Sequence, residues 1–132
     1  MLDAIRHVLE TEDDVAYALV FGSTARGDRR AGSDIDVAIG LRSGAPRDVH
    51  ALGRLTARLE SASGCPVDVV LLDEAPPAMA YRVFRDGRLL VERDHASFVE
   101  RKARAILEYL DFKPIEERCT AGVLRAAAAG GR

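Results

Sequence analysis

The stretch L19-V-F-G-S-T-A-R-G-D-R-R-A-G-S-D-I-D-V-A-I39 decides how this chain is read. It opens as an apolar strand, bends at Gly22-Ser23, and enters a second strand through Asp34-Ile35-Asp36. Along 34–41 the pattern alternates cleanly. Ile35, Val37, Ile39 and Leu41 point to one side, and Asp34, Asp36, Ala38 and Gly40 to the other. Carboxylates are almost never buried without a compensating charge. Two of them on one face of a core-type strand therefore ask what cation they meet.

Working outward, Leu2, Ile5 and Val8/Leu9 recur at helical spacing and predict a first helix over 2–10. The apolar run 15–21 predicts the first strand, ending at Gly22. One helical turn is expected near 24–27. Pro46 suits the start of a helix whose stripe is Val49, Leu52, Leu55 and Leu59, with Gly64 closing it. Residues 67–73 predict a third strand, in which Asp68 is the only internal charge. A helix from Pro77 to Gly87 and a short edge strand over 88–92 follow. The next helix, 94–110, carries the stripe Val99, Ala103, Ile106 and Leu110, and either Ser97 with Glu100 or Asp94 caps it. The basic run Arg101-Lys102-Ala103-Arg104 is expected on a solvated face. Tyr81, Tyr109 and Phe112 are expected in core packing rather than on a partner surface. Beyond Pro114 the pattern is weakly helical and its end frays.

The fold class is thus α/β (α+β): a small mixed, twisted sheet with helices on one face, the aspartate face being left open. The expected organisation is one domain over 1–132, with a core of about 1–92 and a helical tail of about 94–126.

Composition removes several classes of function. The net charge is −2, from 19 basic and 21 acidic residues, so no broad basic field is available for nucleic acid. Aromatics are 5% without tryptophan, which leaves no base-stacking platform. Cys65 and Cys119 form no Cys-x-x-Cys pair, and His7, His50 and His95 have no ligand spacing. No run approaches the ~20 apolar residues a membrane helix needs, and no secretory leader is visible, so a cytoplasmic setting is expected.

The chemistry concentrates in one constellation. Asp34 and Asp36 leave the same strand face, and Asp68 lies inside the next strand. If the two strands pair, three carboxylates converge. Such a cluster repels itself unless a cation neutralises it. Oxygen-only ligation suits Mg²⁺ or Mn²⁺, and two such ions form a clamp for in-line displacement at phosphorus. Gly22 permits close backbone approach, Ser23 adds a hydroxyl, and Arg26 offers a fork for phosphate oxygens. A triphosphate held by this bend would present its charge to the metals.

The segment GSTARGDRRAGSDIDV (22–37) resembles the G-S-x10-D-x-D signature of the DNA polymerase β-like nucleotidyltransferase superfamily. Its G-S-x-A-R-G form and the small size of the chain resemble most closely the minimal nucleotidyltransferases (MNT). Asp68 matches the third carboxylate of that family. The resemblance implies that Gly22 and Ser23 contact nucleotide phosphates and that Asp34 and Asp36 ligate two Mg²⁺ ions. It implies that Asp68 ligates the catalytic metal and assists deprotonation of the acceptor hydroxyl. Arg26 fits the family's arginine.

The partner that the resemblance implies is a HEPN-domain toxin, neutralised when AMP passes from ATP to one of its tyrosines. Two other readings stay open: a non-catalytic antitoxin that neutralises its partner by complex formation, and transfer to a small alcohol such as an aminoglycoside. A small acceptor would need a pocket wall that this short chain lacks unless a homodimer supplies it.

Overall fold

A computed structural model describes residues 1–27, 30 and 32–130, with the side chains of 115–117, 120, 121 and 123–130 left aside. The order is α1 (Leu2–Thr11), β1 (Val15–Phe21), α2 (Ser23–Arg26), β2 (Ile35–Leu41), α3 (Val49–Ser63), β3 (Val67–Leu71), a 3-10 turn (Leu72–Glu74), α4 (Pro77–Asp86), β4 (Arg88–Glu92) and α5 (His95–Gly130). The strands form one mixed sheet in the order β3-β2-β1-β4. β1 runs antiparallel to both β2 and β4, while β2 and β3 are parallel and joined through α3. Parallel neighbours need such a crossover.

Helices cover both faces of the sheet, not one. On the first face Ile35, Val37 and Ile39 of β2 pack with Ile5 and Leu9 of α1 and Leu55 and Leu59 of α3. On the second, Tyr17, Leu19 and Ala38 pack with Leu72, Ala80, Val83, Phe84 and Ala105. The reason is written in β1. Its run VAYALVF does not alternate, and every residue but the last is buried. An unbroken apolar strand needs cover on both sides. A bulge between Val15 and Tyr17 puts Ala16 and Tyr17 into the same core. Tyr17 then packs edge-on against Phe98, with centroids 5.5 Å apart. Its ring also covers Gly40, where a Cβ would stand 2.1 Å from Cζ.

Helix ends follow local chemistry. Asp48, not Pro46, starts α3: its Oδ1 accepts the Ala51 N–H at 3.0 Å. Gly64 closes that helix in the left-handed region, as expected. Asp94 caps α5, accepting from Ser97 N–H at 3.1 Å. That helix continues through Pro114 instead of breaking there.

The buried face of α5 is also not the expected stripe. Val99, Ile106 and Leu110 are exposed, and Phe98, Arg101, Ala105 and Tyr109 turn inward instead. Arg101 is only 5% exposed, because its Nη2 donates to the Leu72 carbonyl at 2.7 Å. Tyr109 stacks on Tyr81 of α4, with centroids 4.1 Å apart. Val49, at the start of α3, likewise points to solvent.

Candidate active site

The aspartates meet at the end of the sheet where β1 stops and β2 and β3 begin. Phe21 pairs with Asp36 across the β1–β2 ladder, and Asp36 pairs with Asp68 across the parallel β2–β3 ladder. In-register residues on neighbouring strands project to the same face. The two carboxylates therefore leave adjacent strands side by side. Asp34 lies just before β2 and is exposed, as is Asp68, while Asp36 is half-buried. Burial pushes the Asp36 carboxyl above its ordinary value of 3.8, and the charges of Asp68 and then Asp34 push it further. Asp36 thus feels the charge of both other acids.

Gly22 closes the site from the other side. Its φ of 69° and ψ of −148° lie where only glycine is at ease. A Cβ built there would stand 2.6 Å from Asp36 Oδ2. The backbone of the bend therefore runs against the half-buried carboxylate. Ser23 begins the short helix α2, and Gly27 ends it in the left-handed region. Thr24 is buried, and its Oγ1 has no hydrogen-bond partner among the described residues.

One wall of the site could not be found by motif. A cavity of about 280 Å³ opens between the bend and α4, lined by Phe21, Gly22, Arg26, Met79, Arg82 and Asp86 among others. Arg26 is exposed, and its charge helps hold the Asp86 carboxyl low, after the stronger effect of the hydrogen bond from Arg85. Met79, Arg82 and Asp86 stand far from the signature in sequence. Their helix reaches the site only through tertiary packing.

The donor set suits a hard divalent cation. It consists of carboxylate oxygens only, and a cation there would relieve the repulsion that Asp68 and Asp34 add to the effect of burial at Asp36. No basic side chain forms an ion pair with Asp34, Asp36 or Asp68 among the described residues. Among those residues, too, no three acidic, histidine or cysteine side chains stand close enough to share an ion as they are. Ligation by all three would need side-chain rotation. No helix among the described residues is long and apolar enough to cross a membrane, and both cysteines are free thiols.

Comparison with known proteins follows the same lines. Residues 3–96 match the family model "Polymerase beta, Nucleotidyltransferase". A chain in a toxin–antitoxin crystal structure with AMP-PNP superposes with a TM-score of 0.80 at 22% identity, covering 93% of this chain and 98% of that one. A chain in the structure of a tri-AMPylated Shewanella oneidensis HEPN toxin in complex with MNT antitoxin gives 0.72 at 19% identity, over 94% and 99% of the two chains. A minimal nucleotidyltransferase structure shares 32% identity with a TM-score of 0.56, over 65% of this chain and 89% of that one. The sequence has no significant match among curated proteins. The match over residues 3–96 takes in the Gly22-Ser23 bend, Asp34, Asp36 and Asp68, and the chain belongs to the polymerase beta nucleotidyltransferase family.

Proposed function

We propose that this chain transfers AMP from ATP to a hydroxyl of a protein acceptor, a tyrosine of a HEPN-domain toxin, and so acts as an antitoxin. The observation that carries the reading is Asp36 in register with Asp68, with the Gly22 backbone against the Asp36 carboxylate. The likeness to chains from toxin–antitoxin complexes, one with AMP-PNP and one with an AMPylated HEPN toxin, supports the choice of nucleotide and acceptor. The acting unit is one nucleotidyltransferase domain, core about 1–92 with a helical tail, in a cytoplasmic setting.

In this reading Asp34, Asp36 and Asp68 hold two Mg²⁺ or Mn²⁺ ions. Bound there, the ions neutralise the triphosphate and polarise the reacting oxygens. Gly22 leaves room for a phosphate beside Asp36, and Ser23 donates its hydroxyl to it. Arg26 offers its guanidinium to the phosphate chain from the cavity beside α4. The acceptor oxygen attacks the α-phosphorus, and the bond to the β-phosphate bridging oxygen breaks. Pyrophosphate leaves, and the phenolic proton passes to Asp68.

The test is incubation of the purified chain with α-labelled ATP, Mg²⁺ and a HEPN-domain toxin. Label on a toxin tyrosine, lost in Asp34→Ala/Asp36→Ala, is the expected result. Neutralisation of the toxin without label, unchanged in that variant, would establish the stoichiometric binding alternative. Label on an added aminoglycoside without any protein acceptor would establish the small-molecule alternative.

A further inference from the structure

A second charged cavity lies at the opposite end of the sheet. There Tyr17 pairs with Gly40 as β1 begins and β2 ends. Five residue steps along β2 lead from Asp36 to Leu41, roughly 16 Å at the rise of a strand. The cavity measures about 370 Å³, and Ser43, Arg47, Asp73, Ser97, Arg101 and Arg104 help line it. Its centre is Arg101, a cation the fold buries almost completely. One nitrogen, Nη2, donates to Leu72. The other two, Nε and Nη1, are buried with no hydrogen-bond acceptor among the described residues.

The nearest anion is Asp73, and it is shared. Its Oδ1 lies 3.7 Å from Arg101 Nε and 3.7 Å from Arg104 Nη2, both beyond hydrogen-bond length. Its Oδ2 is 3.0 Å from Arg47 Nη1. Three guanidinium groups thus divide one carboxylate, and Arg104 also reaches Glu108 on its own helix at 3.2 Å. Glu100 lines the cavity as well, which leaves the lining one positive charge in excess. Buried donors left unmade are costly, and a guanidinium is best satisfied by an oxyanion that accepts several N–H bonds at once. Neither Asp73 nor Leu72 meets that demand.

We propose that this cavity binds a small phosphate-class oxyanion, either free phosphate or pyrophosphate or the same group on a nucleotide. Arg101 and Arg104 donate from α5, Arg47 donates from the loop before α3, and Ser43 and Ser97 add hydroxyls. Asp73 occupies the arginines when the cavity has no ligand and is the group the oxyanion displaces. The site is separate from the aspartate cluster and does not depend on the transfer reaction.

Isothermal titration of the full chain with pyrophosphate, phosphate and ATP, in EDTA at fixed ionic strength, tests this. Saturable binding is expected. Arg104→Gln and Arg47→Gln change partly exposed side chains and leave the fold intact; each should weaken binding about tenfold. Asp73→Asn removes the internal competitor and should tighten binding by a similar factor. Asp36→Asn should leave it unchanged. Binding of ATP tighter than that of pyrophosphate and weakened by Arg104→Gln would assign the site to a nucleotide, and equal or weaker binding to the free anion. Absence of saturable heat, binding lost in Asp36→Asn, or binding indifferent to both arginine variants would overturn the proposal.

Discussion

Asp36 sits in a place that resists its charge. Its folded pKa is raised, so the folded state binds the proton more tightly than the unfolded chain does. The sign follows. Whatever stability this carboxyl contributes is complete below its ordinary value of 3.8 and is lost as pH rises through the raised folded value. Asp36→Asn should therefore melt above the parent protein at pH 7, and the gap should close near pH 3; melts across that range check it. The same variant should lose transfer on the order of 10³-fold. A side chain that costs stability and gains only chemistry marks a functional position. At Gly22 the constraint is steric: Gly22→Ala combines left-handed strain with a clash on Asp36 Oδ2. It should cost about 1–3 kcal/mol by denaturant titration and reduce activity with it. The aspartates were legible in the sequence because charges interrupt apolar strands. The contact between Gly22 and Asp36 was not, because nothing in a linear string states which two backbones touch.

At the scale of elements, β1 and α5 carry the instructive differences. The unbroken apolar run of β1 held the signal for burial on both faces, and the expectation of an open aspartate face overlooked it. Gly40→Ala should be severe for the same reason, since the new methyl meets the Tyr17 ring held between β1 and α5. Overpacking of this kind costs about 1–3 kcal/mol, readable in urea melts. In α5 the stripe Val99, Ala103, Ile106 and Leu110 is apolar and correctly spaced, yet it faces outward. Periodicity reports that a helix has an apolar side, not which side the domain covers. Arg101 won its buried place by meeting the carbonyl that follows β3, a tertiary fact. Leu107 is 63% exposed, so Leu107→Lys should shift the stability of the isolated chain by no more than about 0.5 kcal/mol.

Across the whole molecule, element order was readable because each strand is short, apolar and bounded by Gly, Pro or acidic turns; strand directions come from the packed sheet. The cavity beside α4 was not, since Met79, Arg82 and Asp86 reach the bend through packing between distant segments. Removal of divalent cations with EDTA should abolish labelling of the acceptor while leaving the far-ultraviolet circular dichroism unchanged, because both hydrophobic cores are built without the carboxylates. Restoring Mg²⁺ should restore the label.

The β2–α3–β3 crossover has a consequence for how the protein comes to life during synthesis. Asp34 and Asp36 emerge early and join β1 through a local hairpin, but Asp68 reaches them only when a strand some thirty residues later docks in parallel. Such distant closures are slow to form. A nascent or truncated chain ending within α3 would display two of the three acids in near-native order and remain inert, so competence switches on with the docking of one edge strand.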